Sequence, residues 1–302
     1  MKMHIKALAV AAMTAVASLA ATAAPLDTLA GPLNWKVQGT TSEYSPVQYG
    51  ANTPTTIKES TWGIGEVTTI VNSNGDAAWA SGLGGDYLYF MLYGMADLSV
   101  VPVVSGFNIY NVGCTGGLGC DGKIHLDIYR MSSPISGILL KDPDDRTAFN
   151  AFNGLTNAAG ASLYLGLELV PGKVAVDDLS TVGIDERDAT LFQNANANTL
   201  PTTGAGTFFA DATSGSAKAQ WNSNGFALPG GLFADFDGNF TLKPNFAASG
   251  GACPTNSLPD QCFLGLINDP VQSNAIPEPG SLALFGLALA AFGVIRRRDN
   301  KK

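Results

Sequence analysis

The 302-residue chain is 46% apolar but only 14% charged, and it carries 35 glycines. That balance suits an all-β extracellular protein better than a cytosolic enzyme. Residues 24–275 hold 10 Lys+Arg against 23 Asp+Glu, a net of −13, and a field of that sign repels nucleic acid and anionic lipid.

The first element is an export signal. Lys2 and Lys6 precede an apolar run, Ala7–Ala20, broken only by Thr14 and Ser18. Ala21-Thr22-Ala23 then supplies a small-x-small site for signal peptidase. Cutting one residue later would place Pro25 directly after the scissile bond, so cleavage is expected after Ala23, leaving 1–23 as the signal peptide. The run is apolar on every face, which excludes an amphipathic helix.

Export sets an oxidising environment, in which Cys114, Cys120, Cys253 and Cys262 should pair. Three connectivities are open. The local one, Cys114–Cys120 with Cys253–Cys262, would close two short loops, each contributing roughly 2–3 kcal/mol. The spacings do not suit a zinc knuckle.

Residues 24–264 read as one β-rich domain. Asn34–Thr41 is a short strand, and Trp62–Asn72 is a β-branched strand leading into the turn Ser73-Asn74-Gly75-Asp76, where Asn-Gly marks a hairpin. Asp86–Tyr93 is an aromatic strand, and Leu98–Tyr110 is expected as one strand bent at Pro102. Lys123–Arg130 alternates, with Ile124, Leu126 and Ile128 on one face and His125, Asp127 and Tyr129 on the other. Asp144–Leu155 is the best helix, capped by Asp142 or Asp144 and placing Phe149 and Phe152 together. Ser162–Leu169, Gly206–Asp211, Ala217–Asn224, Leu232–Phe236 and Phe240–Phe246 follow as strands, with turns at Ser214-Gly215 and Asp237-Gly238-Asn239. Regular short strands point to a β-sandwich or jelly roll. Residues 265–275 read as a linker.

Chemistry-bearing residues in this body are sparse. His125 is the one histidine left after signal removal, expected as an exposed strand residue, and no G-x-S-x-G elbow occurs. Asp177-Asp178 and Asp185-Glu186-Arg187-Asp188 are tight acidic groups that would raise one another's pKa, as a carboxylate-dependent hydrolase requires; they also suit exposed loops. Asp235, Asp237 and Asn239 offer oxygens at alternate positions about a glycine, and Asp142-Pro143-Asp144-Asp145 is a second oxygen cluster. Both are candidate calcium sites, although neither completes an EF loop and both also suit plain turns. Trp35, Trp62, Trp79 and Trp221, with Tyr87, Tyr89 and Tyr93, offer a sugar-stacking platform or a core.

The last element, residues 276–302, is a short motif, an apolar segment and a basic stop. Pro277-Glu278-Pro279-Gly280 precedes Ser281–Ile295, which contains no charge, and Arg296-Arg297-Arg298 begins the basic stop 296–302. As a helix, Leu282–Ile295 with the flanking Gly280 and Ser281 would rise roughly 24 Å, so the expected helix 281–295 is a marginal single span of the ~30 Å hydrocarbon core. The arginines would stay cytoplasmic, leaving the body outside the inner membrane. The prolines keep the preceding segment extended, the form a protease cleft accepts.

The stretch Ile276-Pro277-Glu278-Pro279-Gly280-Ser281, the apolar segment and the triple arginine closely resemble the PEP-CTERM sorting domain. The resemblance implies an exported substrate of an exosortase, an integral membrane cysteine transpeptidase. Pro277, Glu278 and Pro279 would be the recognition residues, with the catalytic residues belonging to that partner. It also implies an exopolysaccharide-producing bacterium with an outer membrane. The expectation is a non-enzymatic surface or matrix protein associated with exopolysaccharide or biofilm. The alternatives are a carbohydrate-binding module, with or without calcium, and a secreted carboxylate-dependent hydrolase.

Overall fold

A computed structural model describes residues 25–44, 61–95, 97–104, 107–112, 121–138, 145–175, 185–193, 204–242, 262–267 and 270–276. The strands, in chain order, are β1 (Gly31–Tyr44), β2 (Thr61–Asn72), β3 (Ala77–Ala80), β4 (Tyr87–Met95), β5 (Asp97–Val104) and β6 (Phe107–Val112). β7 (His125–Met131), β8 (Arg146–Ala148), β9 (Ala151–Phe152), β10 (Ser162–Val170) and β11 (Leu191–Gln193) follow. β12 (Gly204–Ser214), β13 (Phe226–Ala227), β14 (Phe233–Ala234), β15 (Phe236–Leu242), β16 (Cys262–Ile267) and β17 (Pro270–Ala275) complete the series.

Eight of these close a ring. Its order is β1-β2-β4-β7-β10-β12-β15-β17, every pair antiparallel, and β17 returns to β1. The protein is therefore mainly β, and its core is a closed up-and-down barrel rather than the expected sandwich or jelly roll. Alternating sequence suits both; closure is decided by the β10–β12 and β1–β17 pairings, which abolish the free edges a sandwich would keep.

Other strands extend the wall. β11 continues the β12 edge beyond β10 and carries the β6–β5 ribbon, while β16 continues the β1 edge beyond β17. β5 and β6 thus pair antiparallel, in place of one bent strand. The expected linker 265–275 is occupied by β16 and β17, the latter a barrel stave.

Glycine admits large rings to the interior. Phe90 lies over Gly65 and Gly39, which face each other on β2 and β1; a Cβ on either would stand 2.4 or 2.5 Å from the ring. Phe208 likewise covers Gly238, where a Cβ would meet the ring at 2.2 Å. Gly238 is therefore a strand glycine required for close approach, and the turn expected at Asp237-Gly238-Asn239 lies inside β15.

Two apolar clusters result. The interior one includes Trp35, Ile70, Trp79, Leu88, Phe90, Ile128, Leu165, Leu167, Phe208, Trp221 and Phe236. The second lies outside the β2–β4–β7 wall, where Trp62, Ile64, Tyr89, Met91 and Tyr93 are covered by Ile138, Phe149, Phe152 and Leu155. The expected helix 144–155 is in fact the β8–β9 hairpin and following turns. Asn150, Asn153 and Gly154 are poor helix formers, and packing on the wall decides the outcome. Phe149 and Phe152 do share a buried face there. The strand expected over 217–224 contains a four-residue helix, α1 (Lys218–Trp221). The turn at 73–76 forms as expected, with Asn72 Oδ1 accepting from the amides of Asn74 and Asp76 at 2.9 and 3.0 Å.

Candidate functional site

β1 begins and β17 ends at the same end of the barrel, with Gly31 opposite Ala275. The amino-terminal segment meets this end through the 3-10 turn Leu26–Thr28, and α1 packs beside it. Gln220 on α1 joins both ends of the body. Its Nε2 donates to the carbonyls of Leu26 and Leu29 at 3.2 and 3.0 Å, and its backbone carbonyl accepts from the amide of Ile276 at 2.7 Å. Its Oε1 accepts from the Tyr164 hydroxyl at 3.2 Å, which itself accepts from Trp221 Nε1 at 3.1 Å. Each buried polar group named here has a partner, as burial demands. Burial also pushes the Tyr164 hydroxyl well above the ordinary phenol range.

Aromatic rings fill the space beneath. Trp35 and Trp221 meet edge to face with centroids 4.7 Å apart, Phe236 touches both, and Trp35 Nε1 donates to Ser273 Oγ on β17 at 2.8 Å. At the rim, Arg130 forks onto Asp86 at 2.7 Å and reaches Asp27 at 2.9 Å, tying the turn before β4 to the amino-terminal turn. The chain leaves this end at Ile276, one residue before Pro277.

Residues 275–298 match the PEP-CTERM protein-sorting motif. The C-terminus carries that motif, and its first matched residue, Ala275, is buried as the last residue of a barrel stave. No curated protein matches the chain, and no solved structure does. Proteins with a PEP-CTERM motif are exported and sorted to the cell surface, and the motif implies processing by an exosortase. Pro277, Glu278, Pro279, the helix expected over 281–295, Arg296–Arg298, and Ala21 and Ala23 of the signal all lie outside the described residues.

The remaining candidates have other employment. Asp235 is buried and caps two backbone amides, accepting from Ala212 N at 2.9 Å and Asn224 N at 2.7 Å. Asp237 is paired with Lys173, whose ammonium also stands over the Phe209 ring, and Asn239 is an exposed residue of β15. In this run the Asp235 carboxylate thus serves amide donors and the Asp237 carboxylate an ammonium donor. No group of three or more His, Cys, Asp or Glu suited to a metal ion occurs among the described residues. Of the second oxygen cluster, only Asp145 is described; its backbone carbonyl accepts from Asn153 N.

All four tryptophans are buried, and Tyr89 and Tyr93 lie beneath a cover drawn from 135–138 and 145–161, so these rings form core and not an open stacking platform. His125 is only 14% exposed, less open than expected. Its Nε2 contacts Asp121 at 3.1 Å while the ring stacks on Tyr93. Asp185 does not behave as a repelled carboxylate. The Arg187 fork holds it below the usual range, while Asp177 and Asp178 lie outside the described residues. Cys262 opens β16 opposite Tyr44; the other three cysteines are not described.

Two polar groupings escape the sequence reading. One is the Gln220 junction. The other is Asp127 beneath the cover, accepting from Tyr93 at 2.8 Å and also from Tyr129. Burial raises the Asp127 carboxyl, and burial with that neighbouring charge pushes Tyr129 up to about 12. The alternation of β7 placed Asp127 on the polar face, but nothing local indicated the cover.

Proposed function

We propose that this chain is a non-enzymatic surface or matrix protein whose closed barrel is the delivered cargo and whose residues 276–302 are the address. Export by the amino-terminal signal, passage through an inner-membrane intermediate and processing by exosortase at Pro277–Pro279 make up its route. Association with exopolysaccharide or biofilm is the role this reading assigns to the delivered barrel. The observation that carries the proposal is the junction itself: the matched motif starts on the final barrel residue, so a cut within Pro277–Pro279 removes no stave. Among the described residues, His125, Asp185 and Asp237 are engaged in ion pairs and Asp235 in capping amides, which favours a structural part for these groups.

Intact mass and carboxy-terminal sequencing of the protein from its native host test the route. The expected mature chain lacks residues 1–23 and ends close to Pro277–Pro279. A mature chain still ending at Lys302 overturns it. Changing Arg296–Arg298 to alanine should impair retention and processing.

A further inference from the structure

The chain has three Asn-Gly pairs, Asn74-Gly75, Asn153-Gly154 and Asn224-Gly225. Asparagine is thermally labile. It is most so before glycine, whose missing Cβ leaves its nitrogen open to the preceding side-chain amide. All three asparagines are exposed, yet the fold treats their glycines differently. Gly75 N donates to the Asn72 carbonyl at 2.9 Å, which holds it inside the turn after β2. Gly154 N donates to Asn157 Oδ1 at 2.8 Å, and the Asn153 side chain is pinned as well, its Oδ1 accepting from Asn157 Nδ2 at 3.0 Å. Gly225 N has no hydrogen-bond partner among the described residues.

The fold asks for both members of this third pair. Asn224 has φ +50°, a left-handed conformation that asparagine accepts better than most side-chain-bearing residues. Gly225 lies against β17, where a Cβ would crowd Asn274 Cβ at 3.1 Å. The bond that Asn224 N donates to Asp235 Oδ1 at 2.7 Å lies upstream of Asn224 Cα, so the rotation about ψ that ring closure needs leaves it intact. We infer that Asn224 is the deamidation site of the folded chain. Hydroxide removes the Gly225 amide proton, and the nitrogen attacks Asn224 Cγ. The Cγ–Nδ2 bond then breaks, and the departing nitrogen takes a proton from water and leaves as ammonia. Water opens the resulting succinimide in one of two ways. Breaking the ring bond from nitrogen to Cγ gives aspartate; breaking the bond from nitrogen to the main-chain carbonyl carbon gives isoaspartate, which routes the backbone through Cβ and Cγ. Either product sets a new carboxylate beside buried Asp235, which caps Asn224 N and Ala212 N. Neighbouring carboxylates oppose each other's ionisation, so conversion loosens the entry into the β13–β14 hairpin.

The test uses the exported chain, residues 24–302, in mild detergent and mildly alkaline buffer, sampled over days and digested in acid. Mass spectrometry then separates asparagine, aspartate and isoaspartate at each pair. In the native chain Asn224 should convert several-fold faster than Asn74 and Asn153. In concentrated urea, where no fold protects any of them, the three rates should converge. Faster conversion of Asn74 or Asn153 in the native chain overturns the assignment. So does the same ranking in urea, which places the difference in the flanking sequence. Asn157→Ala removes the oxygen that holds Gly154 N and should raise the Asn153 rate several-fold while the Asn224 rate stays put. An unmoved Asn153 rate overturns hydrogen bonding as the protecting cause. Asn224→Asp carries the added charge from the start and should quicken amide exchange over 226–234 several-fold. Unchanged exchange there overturns the coupling to the hairpin.

Discussion

Phe90 and Met91 are neighbours on β4 and belong to different cores. Phe90 points into the barrel and joins the cluster that ends at Trp35, Trp221 and Phe236; Met91 points out and is covered by residues of 135–138 and 145–161. The inner core is enclosed by staves distant in sequence and is tied through Gln220 to both ends of the body. The outer core is assembled on one wall from residues 62–155 and carries no hydrogen bond from Gln220 or Ile276. Loss of inner packing should therefore reach the tail junction, and loss of outer packing should stop at the wall.

Trp221→Ala is the strongest way to break this contrast. It removes a fully buried indole, its edge contact with Trp35 and the hydrogen bond it donates to Tyr164. A cost of about 4 kcal/mol is expected, read as a lower urea midpoint with an unchanged slope. Amide exchange at 270–276 should quicken with it. Phe152→Ala comes next, at about 3 kcal/mol, through the cavity left against Trp62. Here exchange should quicken over 145–161 while 270–276 keeps its protection. Equal loosening of both segments by both variants would show a single cooperative core and remove the distinction.

The sequence carried most of the staves and the address, but it placed a linker over β17 and a turn inside β15, and left the closure unread. β7 was legible because its side chains alternate between two environments, and β2 because Asn74-Gly75 stops it. The tail was legible because its signal is contiguous. Ring closure depends on β17 lying beside β1, where Lys36 faces Pro270 and Trp35 reaches Ser273 across 238 positions of chain. No local pattern encodes a pairing over that separation. Gln220 was invisible for the same reason: its partners lie 56, 191 and 194 positions away. The 144–155 segment misled because Phe149 and Phe152 have helical spacing, while the wall they cover selects a hairpin.

The smallest expected effect concerns charge outside the inner core, at the β10–β12 seam, where Asp211 lies opposite Glu168. Burial raises the Asp211 carboxyl above the usual range, and the nearby Asp235 charge adds to that push; Asp211 Oδ1 is buried without a hydrogen-bond partner. A group raised on folding binds its proton more tightly in the native state. Its stabilising contribution is fully present below the unfolded value of about 4 and is lost as pH rises through the folded value. Asp211→Asn stays neutral throughout and escapes that loss. The variant should therefore gain up to about 1 kcal/mol over the parent at pH 7, and the gain should vanish toward pH 4. Urea midpoints at the two pH values check this. A parent chain that is the more stable at pH 7 would mean the Asp211 charge is compensated, and would place this seam with the satisfied inner core instead of apart from it.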